Sequence, residues 1–114
     1  MSFKLNKSLV SNFTDNLRIT TSERIELNKT LYEIQNILKL CCDNDIKTIP
    51  GYISCIEYYI EKENKLNLKD DIKNFLIFSG FEKQLIIRYF KENNNSTAKE
   101  NTLNKFKEIY YNKE

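Results

Sequence analysis

Histidine and tryptophan are absent from this 114-residue sequence, which also contains only two glycines, one proline and one alanine. Without histidine, the chain lacks the side chain that most often serves as a general base or as a metal ligand. Gly51 and Gly80 stand alone, so no glycine-rich loop is available to bind a phosphate group. The scarcity of glycine and proline also disfavours a small β protein with many tight turns. We therefore expect a non-enzymatic protein that binds no cofactor.

Cysteine is scarce too, because Cys41, Cys42 and Cys55 are the three that the chain contains. An odd number that includes an adjacent pair does not suit a secreted disulfide scaffold, so we expect a reduced, intracellular (cytoplasmic) protein. A zinc site would need all three thiolates and a carboxylate. Adjacent cysteines leave a helix in different directions and cannot easily face one ion, so we expect no metal site.

Long hydrophobic runs and a strong charge of either sign are also missing. No stretch approaches the roughly 18 apolar residues of a membrane-spanning helix, and the opening MSFKLNKSLVSNF lacks the apolar run of a signal peptide. We therefore expect no membrane partner. The 18 basic residues nearly balance the 16 acidic ones, which gives little support to a nucleic-acid partner. The abundance of lysine, asparagine and isoleucine fits an AT-rich genome, such as that of a phage or a virus.

The clearest pattern that is present is an apolar stripe between Thr20 and Asp43. Its members are spaced four, three, four and three residues apart: Leu27, Leu31, Ile34, Leu38 and Cys41. Residues at these spacings share one face of an α-helix. Thr20 stands three residues before Glu23, which is the spacing of a capping box. Ile37 and Leu40 lie off the stripe and predict a core helix enclosed by neighbours, while a coiled-coil seam in a dimer is the alternative.

Other parts of the chain carry helix-start and helix-stop signals. Apolar spacing predicts a first helix over about residues 6–16. Pro50 suits the first position of a third helix and biases Ile49 away from helical geometry. Asn67 is a candidate cap for a fourth helix, and Gly80 fits the left-handed residue that ends it.

Two further helices complete the chain. A fifth is predicted over about residues 82–92, and Thr97 with Glu100 repeats the capping-box spacing at the start of a sixth. The connections between these segments are short. We therefore predict an all-α fold, with residues 1–114 as a single helical domain and a compact bundle of five to six helices around a central second helix.

The segment FLIFSGFEKQLIIRYF, residues 75–90, has the layout of a helix-turn-helix. Two helices would meet across a three-residue turn that contains Gly80. The second helix would then present Lys83, Gln84 and Arg88 to DNA. Two cations neutralise little phosphate charge, and Glu82 would approach the DNA backbone. An ordinary helical corner within the core is the alternative interpretation.

The same segment contains runs of consecutive apolar residues, which leave a helix in all directions. In so small a domain some of them are difficult to cover, so Phe78, Leu85 and Ile87 are candidates for an exposed contact surface. The alternative is that neighbouring helices cover them all. Tyrosine is enriched at interfaces, and one ring of each adjacent tyrosine pair can be exposed. Tyr58 and Tyr111 are therefore further interface candidates, although compositional bias also accounts for the tyrosines.

Two functional hypotheses follow from these observations. The first is a non-enzymatic protein–protein interaction module: a small helical adaptor, inhibitor or immunity-type factor whose partner is another protein, and which could also form a homo-oligomer such as a homodimer. The missing catalytic residues and the surplus of apolar residues between Phe75 and Phe90 motivate it. The second is a small DNA-binding regulator that uses the helix pair around Gly80.

Overall fold

The computed structural model describes residues 8–91 and 97–112. Over these ranges the backbone forms helices and connecting turns without any β-strand: α1 (Ser8–Thr14), α2 (Thr21–Asp43), α3 (Ile49–Lys62), α4 (Lys69–Phe78), α5 (Lys83–Lys91) and α6 (Thr97–Phe106). A 3-10 turn, Leu66–Leu68, precedes α4, and a π-helical turn, Lys107–Tyr111, extends α6. The predicted all-α bundle is confirmed. None of the described helices is both long and apolar enough to cross a membrane.

The start of α2 is fixed by the capping box that the sequence predicts. The Glu23 amide donates a hydrogen bond to the Thr20 hydroxyl at 3.2 Å, and the Thr20 amide donates one to the Glu23 carboxylate at 2.9 Å. These two bonds satisfy amides that the first turn of a helix otherwise leaves free. Because the Thr20 amide and hydroxyl both bind the carboxylate, the pKa of Glu23 is lowered.

One side of α2 forms the middle of the core. Its buried residues are Leu27, Thr30, Leu31, Ile34, Gln35, Ile37, Leu38 and Cys41. This side packs against α1, α3, α4 and the turn Lys107–Tyr111. The opposite side faces solvent and carries Ile25 and Tyr32, which are 52% and 45% exposed. Because the apolar stripe is covered within a single chain, it is not left open for a coiled-coil seam.

α3 completes the core by contacting α2, α5 and α6. It is buried on more than one side, with Tyr52, Ile53, Ser54, Cys55, Ile56, Tyr59 and Ile60 all shielded from solvent. A helix that is apolar over most of its circumference needs neighbours on most sides. The resulting Cα radius of gyration is 13.7 Å, close to the roughly 13 Å expected for a folded chain of this length.

The ends of α2, α3 and α4 share one conformation, in which a residue in the left-handed region is followed by a turn back onto the helix. The left-handed residues are Asp45 (φ 67°) after α2, Asn64 (φ 56°) after α3 and Gly80 (φ 101°) after α4. In each case the next amide donates to a carbonyl five residues earlier: Ile46 to Cys41 (2.9 Å), Lys65 to Ile60 (2.8 Å) and Phe81 to Leu76 (3.1 Å). This is the Schellman pattern, which the sequence predicts at Gly80.

Two predicted helix starts are wrong in detail. α3 begins at Ile49 rather than at Pro50, because the Thr48 hydroxyl caps it by accepting a hydrogen bond from the Gly51 amide at 3.1 Å. Asn67 does not cap α4, since it lies inside the 3-10 turn and no side chain caps that helix. The predicted end of the fifth helix at residue 92 lies outside the described residues.

The three thiols differ in their access to solvent, which provides a direct test of how α2 and α3 are oriented. Cys41 and Cys55 are buried, whereas Cys42 is half-buried. A hydrogen bond with Cys41, followed by burial, raises the pKa of the Cys55 thiol, which disfavours the reactive thiolate. We predict that Ellman's reagent modifies one thiol in the native protein and all three after unfolding. Cys42→Ser should abolish the native reaction, and a fast reaction that survives this substitution would contradict the orientation.

Candidate interaction surfaces

The corner between α4 and α5 is built on buried aromatic and aliphatic residues. Those on its inner side are Phe75, Leu76, Phe81, Ile86 and Phe90, all at most 5% exposed. The Schellman turn at Gly80 directs the chain from α4 into α5, and the Gly80 amide donates to the Ile77 carbonyl at 3.0 Å. These five residues define the inner side of the corner, and the exposed residues of α4 and α5 form its outer side.

Phe78 is the most exposed apolar residue of this corner. It is the last residue of α4 and leaves 50% of its surface accessible. Its ring centroid lies 5.5 Å from that of Phe13 on α1, at an interplanar angle of 53°. Phe75, three residues earlier, is fully buried and meets Phe13 edge-to-face at 5.6 Å. Phe13, itself buried, thus contacts one buried and one exposed ring, and it supports Phe78 from the side of α1.

Leu85 and Ile87 do not lie together on one face of α5. Successive residues of an α-helix differ in direction by about 100°, so residues two positions apart differ by about 200°. The two side chains therefore leave the helix about 160° apart, one on each side of the buried Ile86. Ile87 is 37% exposed, while Leu85 is half-buried against the core. The predicted surface of Phe78, Leu85 and Ile87 is therefore not a single patch. Its exposed members are Phe78 and Ile87.

The outer side of α5 carries the three DNA-contact candidates. Lys83, Gln84 and Arg88 are all exposed, and they share with Ile87 a sector of about 140° on this helix. We call these four residues the α5 face. It has two cations, one amide and one apolar side chain. Glu82, which is also exposed, comes immediately before it.

The adjacent tyrosines pack against one another near the C-terminal end of the described chain. Tyr58 and Tyr111, predicted as separate interface residues, contact each other with ring centroids 5.6 Å apart, and both are half-buried. Tyr59 and Tyr110 pair similarly at 6.2 Å. Phe106, which is fully buried, stacks on Tyr110 at 5.2 Å. We call these five residues the aromatic cluster. The expectation that one ring of each pair is exposed is not met.

A π-helical turn explains how the adjacent residues Tyr110 and Tyr111 can both belong to the aromatic cluster. The Asn112 amide donates to the Lys107 carbonyl, five residues earlier, at 3.0 Å. This wider turn changes the angle between successive side chains from that of an α-helix. Lys107 also places its ammonium group 5.0 Å from the centroid of the Tyr58 ring, within the range of a cation–π contact.

Glu33 of α2 and Glu63, at the end of α3, influence the hydroxyl groups of the aromatic cluster. The Tyr110 hydroxyl donates a hydrogen bond to the Glu33 carboxylate at 2.6 Å. Burial, with a smaller contribution from Glu33 and other glutamates, raises the pKa of Tyr59 to about 12. Burial and the same carboxylate raise the pKa of Tyr110, and burial with Glu63 raises the pKa of Tyr111. The cluster ties the C-terminal segment to α2 and α3, and its tyrosines are half-buried or buried rather than exposed.

These tyrosine pKa values predict that the fold loses stability at alkaline pH. Unfolded tyrosine ionises near pH 10. The contribution of the cluster is therefore complete below that pH and is lost as the pH rises through 10 toward about 12. Cys55 adds an effect of the same sign. Urea unfolding between pH 8 and 12 should show this decline. Tyr110→Phe should make it shallower and Tyr32→Phe, on the exposed side of α2, should not. Equal slopes in both variants would contradict the assignment.

The first turn of α4 contains two adjacent carboxylates, Asp70 and Asp71. Asp70 lies 3.4 Å from the ammonium of Lys73. Burial, and secondarily Asp70, raises the pKa of Asp71. Both lie in the first turn of α4, where acidic residues interact favourably with the helix dipole. Among the described residues, no group of three or more cysteine or acidic side chains is placed to hold a metal ion.

Comparison with known proteins identifies no relative of this chain. The chain matches no protein-family model, no curated protein and no solved structure.

Proposed function

We propose that this chain is a non-enzymatic protein–protein interaction module, in the manner of a small helical adaptor, inhibitor or immunity-type factor. The observation that carries the proposal is the exposure of Phe78 and Ile87 on the outer side of the α4–α5 corner, at 50% and 37%. Large apolar residues that remain accessible in a folded domain are typical of contact sites, particularly when they are aromatic.

The surroundings of Phe78 favour a contact with protein. Its ring is held on one side by Phe13, so part of its rotational freedom is already lost before any partner binds. Residues that are fixed in this way lose little conformational entropy on association, and aromatic anchors dominate the binding energy of many interfaces. The exposed half of the ring is therefore suited to bind an apolar pocket of another protein.

Charged substitutions test this proposal. Phe78→Glu and Ile87→Glu should each prevent a tagged copy of the full chain from retaining its partner in extracts of the source cells. Ile25→Glu is the matched control, because Ile25, at 52%, is at least as exposed as either corner residue but lies on α2. All three variants should keep the circular dichroism spectrum of the native protein. Unchanged retention by both corner variants, or equal loss with Ile25→Glu, would overturn the proposal.

A homo-oligomer is tested in the same variants. Light scattering during gel filtration gives the mass of the native chain over a range of concentrations. If the exposed corner residues mediate self-association, Phe78→Glu and Ile87→Glu should lower that mass while Ile25→Glu should not. A mass of one chain, 13.6 kDa, at all concentrations would leave another protein as the partner.

The alternative, a small DNA-binding regulator, is favoured by one observation. Lys83, Gln84 and Arg88 are all exposed on one sector of α5, directly after a short turn at Gly80, as in a recognition helix. Ile87 on the same sector and Glu82 at its beginning argue against close approach to DNA. A mobility shift that weakens with salt and is lost on Lys83→Glu with Arg88→Glu would support it. No duplex binding at low salt would eliminate it.

A further inference from the structure

α5 carries basic residues and no acidic ones, and Glu82 and Glu92 flank it in the sequence. Residues 83–91 contain three of the 18 basic residues and none of the 16 acidic ones, which leaves 15 basic against 16 acidic residues in the rest of the sequence. Two of the three, Lys83 and Arg88, are exposed on the α5 face. The exposed Ile87 lies between them in angle around the helix. The α5 face thus combines a single apolar side chain with a cation on each side of it.

This charge distribution disfavours a second copy of the chain as the occupant of the α5 face. A twofold contact would bring identical faces together, because residue pairs repeat across the axis of a symmetric dimer. Lys83 and Arg88 of one copy would then oppose the same cations of the other. Like charges facing each other across an interface cost binding energy, so self-association through this face is opposed.

The same distribution favours protein over nucleic acid. Nucleic-acid binding depends on several cations that contact successive phosphates. The α5 face has two, and the exposed Glu82 precedes them at the end that a recognition helix directs toward DNA. Ile87 has no polar group for a phosphate, but it suits an apolar side chain of a protein.

We propose that the α5 face binds an acidic, amphipathic helical segment of a partner protein, a refinement that rests on the proposed function. One apolar side chain of that segment packs on Ile87, and carboxylates on either side of it pair with Lys83 and Arg88. Gln84 lies between the two cations in the exposed sector and can bond to a polar group of the partner. An amphipathic helix offers this pattern, since residues three and four apart share one face.

Selection from a random peptide library displayed on phage tests this chemistry with the full-length chain immobilised. Enriched peptides should carry Asp or Glu at helical spacing from a Leu, Ile or Phe. Their affinity should fall at least tenfold for Lys83→Glu with Arg88→Glu, and also for Ile87→Glu. The matched control is Lys29→Glu with Lys39→Glu, an equal charge change at two exposed positions of α2, which should leave affinity within about twofold.

Reversing the charges on both the peptide and the chain tests the proposed ion pairs more directly. Synthetic peptides in which Glu is replaced by Lys should bind the Lys83→Glu, Arg88→Glu variant better than they bind the native chain. Peptides that depend on Phe78 and Ile87 but are not acidic would overturn the inference and leave the proposed function standing. If no enriched peptide depends on Phe78 or Ile87, both fail. Enrichment of a random DNA duplex pool that depends on Lys83 and Arg88 would also overturn the inference, in favour of nucleic acid.

Discussion

Phe75→Ala should lower the free energy of unfolding by about 3–5 kcal/mol, the usual cost of removing a buried phenylalanine ring. Phe75 is fully buried and meets Phe13 edge-to-face, so the substitution removes apolar burial, leaves a cavity and loses an aromatic pair. Urea unfolding followed by circular dichroism measures the change. For a domain with the usual stability of about 5–15 kcal/mol, a loss of this size can leave part of the chain unfolded at room temperature.

Phe78→Ala is the matched control, because both rings lie on α4 and both contact Phe13. Half of the Phe78 surface is already exposed, so its truncation should cost no more than about 1.5 kcal/mol. The difference between the two variants reports which side of α4 faces the core. Equal losses would mean that Phe78 is covered, and the proposed contact surface would lose its principal residue.

Ile34→Ala is expected to have the second-largest effect, about 2–5 kcal/mol. Ile34 lies near the middle of the buried side of α2 and is fully shielded. Ile25→Ala on the same helix removes the same atoms from a position that is 52% exposed, and its cost should stay within about 1 kcal/mol. Both substitutions introduce a better helix former, so the intrinsic helix term cancels between them.

Comparing these two isoleucines isolates the burial of α2 from its helicity. Thermal and urea unfolding of both variants should give the same order of stability. A cost for Ile25→Ala as large as that for Ile34→Ala would show that the outer side of α2 is also covered, for example by a second copy of the chain. A small cost for both would remove α2 from the core.

The features that could be predicted from sequence are those in which one residue type has one dominant local role. The Thr20–Glu23 capping box depends only on a three-residue spacing, and both of its hydrogen bonds are present. Gly80 adopts the positive φ that glycine tolerates best. The stripe from Leu27 to Cys41 is buried throughout because its spacing follows the helical period.

Local signals were insufficient where several residue types can perform the same role. Asp45 and Asn64 take left-handed conformations that the sequence does not single out, since both residue types also occur in caps, turns and exposed helix positions. Asn67 has the side chain of a good cap, but Leu66–Leu68 forms a 3-10 turn and the helix begins after it. Tertiary packing decides between such alternatives, and a single sequence does not reveal it.

The sequence alone did not show which interface candidates lie together, because that depends on side-chain direction and on contacts between helices. Phe78 and Ile87 are exposed, but Leu85 leaves α5 on the other side of Ile86, which shows that adjacency in sequence is not adjacency on a surface. Tyr58 and Tyr111 come together through contact between α3 and the C-terminal turn. No local sequence pattern predicts the π-helical turn, so the aromatic cluster and the Tyr110–Glu33 hydrogen bond could be found only from the structure.

Hydrogen exchange of backbone amides tests the central claim, that the chain folds around α2, more directly than any substitution. We predict that amides from Leu31 to Leu38 exchange only through global unfolding, with a free energy of opening equal to that measured in urea. Amides of α6, at the end of the described chain, should open more easily. If the Leu31–Leu38 amides exchanged as fast as those of α6 while other helices remained protected, α2 would not be the centre of the fold.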